Sequence, residues 1–142
     1  MSEDLYQALI VARNRTPVYA GRPPLFDAQG TGENRMCGDE VSVFLTRARQ
    51  SWRHEAQGCA ILHASADLMC EALEGRDEVD VARLEAAFET LAKTGETSPD
   101  LGDLNALASI AHYPARLRCA TLPWSAARRA LAAVGAGRGD HG

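Results

Sequence analysis

No apolar run in this sequence approaches the roughly 20 residues that a helix needs to cross a bilayer, so a helical membrane span is not expected. The opening segment MSEDLYQ is acidic, whereas a secretion signal begins with basic residues; the expected location is cytoplasmic. Basic residues are outnumbered in total, with 15 Lys+Arg against 19 Asp+Glu and a net charge of −4. A general nucleic-acid binder needs clustered Lys and Arg to displace counterions from phosphates, so no nucleic-acid partner is expected. Cysteine is limited to Cys37, Cys59, Cys70 and Cys119, too few and too far apart for a disulfide framework. In a reducing compartment such cysteines bind metal, act in chemistry or pack as small apolar groups.

The 142 residues suffice for one core and not for two ordinary domains. One domain is expected over residues 1–134. The Gly-rich remainder, GAGRGDHG at 135–142, reads as a disordered tail. Charge is placed unevenly: ten acidic residues between Glu71 and Asp103 face only Arg76, Arg83 and Lys93, and arginines dominate after Ala111. A solvated acidic helix face beside a basic helix accounts for this, and a docking surface for a protein partner is the alternative.

Residues 3–14 carry Leu5, Ala8, Leu9 and Ala12 at helical spacing, with Ser2 as a candidate cap and Thr16-Pro17 as a stop. The following Gly- and Pro-rich segment is too broken for a helix and holds at most a short strand near Leu25–Ala28. From Asp39 the period changes to two, with Val41, Val43 and Leu45 on one face. A second strand runs over Ser51–Ala56, joined to the first by a tight hairpin link at Ala48-Arg49-Gln50. Helices follow from Gly58 to about Glu74, with Ile61, Ser65, Leu68 and Ala72 as the buried stripe, and from Val81 to Lys93, capped by Asp80. A short helix over Leu104–Ala111 and a last helix starting near Thr121, with Pro123 in its first turn, complete the chain. The order predicts an α+β fold, a small antiparallel three-stranded sheet packed against helices.

On this map Cys37 lies in a loop before a strand, Cys59 at the first turn of a helix, and Cys119 just ahead of the last helix. A helix N-terminus favours thiolate over thiol, which makes Cys59 and Cys119 the candidates for reactivity. Cys70 lies three turns after Cys59, roughly 16 Å along the axis, too far for two sulfurs to share a metal at about 2.3 Å each; it reads as a buried small hydrophobe. Three cysteines leave one tetrahedral position. Asp39 is the first choice, because an extended chain would send its side chain and that of Cys37 to the same side. His63, one helical turn after Cys59, ranks second, and His112 has no fixed geometry relative to Cys119.

The segments ENRMCGDEVSV, QGCAILHASADLM and YPARLRCATLPW resemble the three cysteine motifs of SufU/IscU/NifU-type iron–sulfur cluster assembly proteins, written around NPxCGD, GCAIxxASAS and FPxRxKCAxLxW. The N-terminal LYQALIVARNRTPVYAG also resembles that family's opening helix, so the likeness covers nearly the whole chain. It implies Cys37, Asp39, Cys59 and Cys119 as metal or cluster ligands. In the IscU branch a histidine precedes the last cysteine and an LPPVK stretch lies nearby. Arg118 and YPARL stand here instead, and the likeness is therefore to the SufU branch. That branch implies a Zn2+-bound protein that accepts persulfide sulfur from a SufS-type cysteine desulfurase on Cys37 and passes it to recipient iron–sulfur proteins or a scaffold. The alternatives are a scaffold that builds a [2Fe–2S] cluster or holds iron, and a structural zinc module. Three positions depart from the pattern: Arg35 replaces the usual proline, Asp67 a small hydroxyl residue, and Arg13 stands near a usual histidine.

Overall fold

The sheet begins with a strand that has no large apolar residue. In the computed structural model, which describes residues 3–141 and, of side chains, 5–134, β1 spans Ala28–Asn34, β2 Asp39–Thr46 and β3 Ser51–Gln57. They form one antiparallel sheet in the order β1-β2-β3. Register aligns Ala28, Leu45 and Trp52 across the three strands, then Gly30, Val43 and His54, then Gly32, Val41 and Ala56. These nine residues share the inner face, by the period-two rule.

The helices are α1 (Glu3–Arg15), α2 (Ala60–Leu73), α3 (Glu78–Thr94) and α4 (Pro114–His141), with a 3₁₀ segment at Pro99–His112 between the last two. The core unites Val41, Val43, Leu45 and Trp52 of the sheet with Leu62, Met69 and Leu73 of α2, Leu84, Phe88 and Leu91 of α3, and Trp124, Ala126 and Ala130 of α4. Phe88 and Trp124 stack with ring centroids 5.3 Å apart. The α+β arrangement expected from the sequence is the one found. The Ser2 cap and the 135–142 tail fall outside the fully described residues.

The glycines explain why β1 runs past the expected Leu25–Ala28. A Cβ on Gly30 would stand 1.8 Å from the Ala126 carbonyl oxygen of α4, and one on Gly32 would stand 3.1 Å from that of Leu122. The strand is glycine-rich because a helix lies directly upon it, with Ala126, Ala127 and Ala130 turned inward. Phe44 points to the opposite face and is buried as well, against Phe26 at 5.0 Å between centroids, with the Arg22 guanidinium over both rings.

Other boundaries also differ from expectation. Asp77, not Asp80, caps α3, its carboxylate accepting the Asp80 N–H at 2.9 Å. The buried stripe of α2 passes through Leu62, Ser65, Ala66, Met69 and Leu73 while Ile61 and Ala72 stay half-exposed, because the helix is covered on several sides. The expected Leu104–Ala111 helix is part of the longer 3₁₀ segment, kinked at Gly102 (φ 54°, ψ −127°). The last helix starts seven residues before Thr121, at Pro114, which fills the first-turn role assigned to Pro123. Pro123 is interior, so it donates no bond to the Cys119 carbonyl one turn earlier.

Candidate metal centre

β2 opens with Asp39, α2 begins just after Cys59, and the second turn of α4 carries Cys119. These three ends meet: one ligand atom from each of Asp39, Cys59 and Cys119 lies within 4.8 Å of the other two. Asp39 is at the centre, 2% exposed. Its Oδ1 accepts the Cys59 backbone N–H at 3.2 Å, and its Oδ2 accepts from the Cys119 thiol at 2.8 Å. Cys59 is the N-cap residue of α2, and no hydrogen bond from its side chain caps the helix. Cys59 is exposed where Cys119 is buried.

Gly58 makes the close approach possible. Its φ is +144°, and a Cβ there would stand 2.1 Å from Asp39 Oδ1. Only glycine tolerates both the backbone conformation and the carboxylate at its back.

Cys59 stands at a helix N-terminus as its position predicts, and Cys119 does not. With α4 starting at Pro114, Cys119 lies beyond the first turn, where the partial positive charge has fallen off. Burial, followed by the hydrogen bonds to Asp39 and Cys59, pushes its thiol pKa up rather than down. The proton on Cys119 is thus held toward the Asp39 carboxylate, the place a cation would take. Two sulfurs and a carboxylate oxygen are a donor set suited to zinc, and metal binding to such a set releases the thiol protons.

Cys37 is not among the three converging atoms. It occupies the exposed turn between β1 and β2, where the Asn34 side-chain amide donates to its sulfur at 3.5 Å. The extended path assumed between Cys37 and Asp39 is replaced by a left-handed Gly38, φ +71°. His63 lines a separate cavity with Asn14, His54 and Gln57, and His112 is exposed at the end of the 3₁₀ segment. Cys70 is fully buried, and burial raises its pKa well above the ordinary value, in keeping with an inert packing thiol. Arg116 lies over the Tyr113 ring at 4.8 Å and is exposed, as is Arg118.

Sequence reasoning missed a buried polar network behind the site. Asp67, fully buried, accepts four hydrogen bonds: at Oδ1 from the Tyr19 N–H (2.7 Å) and His54 Nε2 (3.0 Å), at Oδ2 from the Val18 N–H (3.0 Å) and Arg13 (2.9 Å). Arg13 also reaches Glu71. Burial alone would raise the Asp67 pKa, but the bonds from His54, Val18, Tyr19 and Arg13 outweigh it and bring it to about 2. The departures at Arg13 and Asp67 are therefore two halves of one ion pair. The signal in the sequence was their joint occurrence, 54 residues apart.

A small α+β domain that draws a carboxylate and two thiols from three separate elements to one point has the donor set of a thiolate–carboxylate metal site. The chain is a member of the NifU-like N-terminal domain family of iron–sulfur cluster assembly proteins, whose pattern matches residues 5–120. It is 33% identical over 104 residues to the zinc-dependent sulfurtransferase SufU of Bacillus subtilis, covering 70% of this chain and 71% of that protein. It is 28% identical over 133 residues to the iron–sulfur cluster assembly scaffold protein IscU of Streptococcus pyogenes, covering 89% and 82%. A crystal structure of a nitrogen-fixing NifU-like protein (N-terminal) from Brucella abortus superimposes with a TM-score of 0.81 at 21% identity, over 94% of this chain and 96% of that one. At that identity the match establishes the fold. Among the described residues no helix is long and apolar enough to cross a membrane.

Proposed function

We propose that this protein is a zinc-bound sulfur carrier of iron–sulfur cluster assembly, which takes persulfide sulfur from a cysteine desulfurase and passes it on. The observation that carries the reading is the convergence of Asp39, Cys59 and Cys119 beside an exposed turn bearing a fourth donor, Cys37. The name of the B. subtilis relative supports it. Asp39, Cys59 and Cys119 would hold the metal, with Cys37 completing the set when its turn folds inward. Bound zinc would keep the sulfurs as thiolates at neutral pH and guard them from oxidation.

In the transfer, the Cys37 thiolate attacks the outer sulfur of the desulfurase persulfide. A new sulfur–sulfur bond forms on Cys37, the old one breaks, and the desulfurase cysteine departs as a thiolate with the bonding pair. No external oxidant or reductant enters. The exposed position of Cys37 supports this role, since an acceptor sulfur must reach another protein's active site. Arg116 and Arg118 offer positive charge to the anionic sulfur or to the partner. Asp39 positions Cys59 through the N–H bond and Cys119 through its thiol.

The test is anaerobic purification with metal analysis, followed by a desulfurase assay with cysteine and a reductant. One zinc per chain, and stimulation that Cys37→Ala abolishes, are the expected results. Undiminished stimulation by Cys37→Ala would remove Cys37 as acceptor. The second reading, a scaffold for a [2Fe–2S] cluster, is favoured by the same sulfur-rich donor set and by the name of the S. pyogenes relative. Stoichiometric iron with sulfide-to-iron charge-transfer bands would establish it in place of the first.

A further inference from the structure

The turn that carries Cys37, residues 35–38 between β1 and β2, has little packing to hold it. Met36 is 91% exposed, the Arg35 side chain is 89% exposed and reaches back to Glu33 at 3.2 Å, and a Cβ on Gly38 would meet nothing within 4 Å. A turn with so few apolar contacts takes its conformation from local hydrogen bonds.

Cys37 is tied to Asn34 twice. Its backbone N–H donates to the Asn34 carbonyl at 3.2 Å, and Asn34 Nδ2 donates to its sulfur at 3.5 Å. The first bond closes the turn, and the second fixes the sulfur, because a donor on Sγ selects one staggered rotamer of the cysteine. Asn34 is itself anchored to the metal centre. It is the last residue of β1 and pairs across the sheet with Asp39, whose carboxylate is bound to the Cys59 N–H and the Cys119 thiol. The position of Cys37 relative to the three converging ligands therefore runs through Asn34.

We propose that Asn34 is a positioning residue: its side-chain amide keeps the Cys37 sulfur exposed and outside the group formed by Asp39, Cys59 and Cys119, and so sets the share of Cys37 available for sulfur transfer. This rests on the sulfur-carrier reading above, in which Cys37 either completes the metal site or meets a partner's persulfide. Loss of the amide would favour the first state, with the left-handed Gly38 as the joint about which the turn folds in.

The test measures alkylation of Cys37 by iodoacetamide, mapped by mass spectrometry, in the zinc-loaded and in the metal-free full chain. The ratio of the two rates removes the intrinsic reactivity of the thiol and reports how far zinc withdraws it. Asn34→Ala should lower that ratio by about fivefold, the weight of one hydrogen bond, while its backbone amide spectrum stays that of the folded protein. Asn34→Gln, which keeps an amide donor, should retain most of the wild-type ratio. A substitution that merely loosened the turn would leave Cys37 open in both forms and raise the ratio. An unchanged or raised ratio in Asn34→Ala, or an equal fall in Asn34→Gln, would overturn the assignment. No desulfurase enters this measurement, so the two readings fail separately: undiminished stimulation by Cys37→Ala ends the sulfur-carrier reading, and an unchanged ratio ends the role of Asn34.

Discussion

Replacing Asp67 by Asn tests the buried network without changing the size of the side chain. Each carboxylate oxygen of Asp67 accepts two bonds, from Tyr19 and His54 on one side and from Val18 and Arg13 on the other. An amide offers oxygen to one side only, so whichever way it turns, donors on the other side lose their acceptor. Each costs about 1–3 kcal/mol, and Arg13, whose side chain is 12% exposed, also loses one of its two counter-charges. The expected destabilisation is about 3–4 kcal/mol, a substantial part of the 5–15 kcal/mol typical of a domain. Urea unfolding followed by tryptophan fluorescence should show a lower midpoint at an unchanged slope. The network also predicts a pH effect. Asp67 titrates at about 2 in the folded chain against an ordinary 3.8, which corresponds to about 2 kcal/mol. Because the folded value is the lower one, this stability is fully present above about pH 4 and is lost as pH falls through about 2. Asp67→Asn should abolish that part of the acid dependence. A loss below about 1 kcal/mol, or an unaltered acid slope, would refute the argument.

The metal centre and the packing give three further expectations. Gly58→Ala places a methyl 2.1 Å from Asp39 Oδ1; zinc affinity by chelator competition should fall about 10–100-fold in a folded protein, and wild-type affinity would contradict the role assigned to Gly58. Gly30→Ala drives a Cβ into the Ala126 carbonyl at 1.8 Å, so α4 must shift, at about 1–3 kcal/mol; an unchanged urea midpoint would show that the helix does not lie so close. Brief alkylation of the metal-free native protein, mapped by mass spectrometry, should label exposed Cys37 and Cys59 and spare Cys70; labelling of Cys70 at the rate of Cys37 would contradict its burial.

The elements legible in the sequence were those whose apolar period is carried by large side chains. Val41, Val43 and Leu45 mark β2, and Val81, Leu84, Phe88 and Leu91 mark α3, and both lie where the pattern puts them. β1 was hidden because its inner positions are Ala28, Gly30 and Gly32: close contact with a helix selects small residues, and small residues resemble a loop. The start of α4 was misplaced because two prolines compete for the first turn, and only the packing of Cys119 and Ala120 on the core favours Pro114.

For the site, the spacing of cysteines at helix ends led to Cys59, and Asp39 lies with Cys59 and Cys119 while His63 lines a separate cavity. The placement of Cys119 depended on the wrong helix boundary, so its expected acidity was reversed. Gly38 breaks the extended path assumed between Cys37 and Asp39, and its left-handed conformation cannot be deduced from a Cys-Gly-Asp triplet alone. The pairing of Arg13 with Asp67 is long-range, and in one sequence long-range pairs leave no periodic trace.

X-ray absorption at the zinc edge of protein purified without air tests the metal centre most directly. One zinc per chain is expected, with sulfur neighbours at about 2.3 Å and an oxygen neighbour at about 2.0 Å. Cys59→Ser should remove one sulfur neighbour, and Asp39→Ala should remove the carboxylate oxygen. Zinc surrounded by nitrogen and oxygen alone, or a sulfur count that Cys59→Ser and Cys119→Ser leave unchanged, would contradict it.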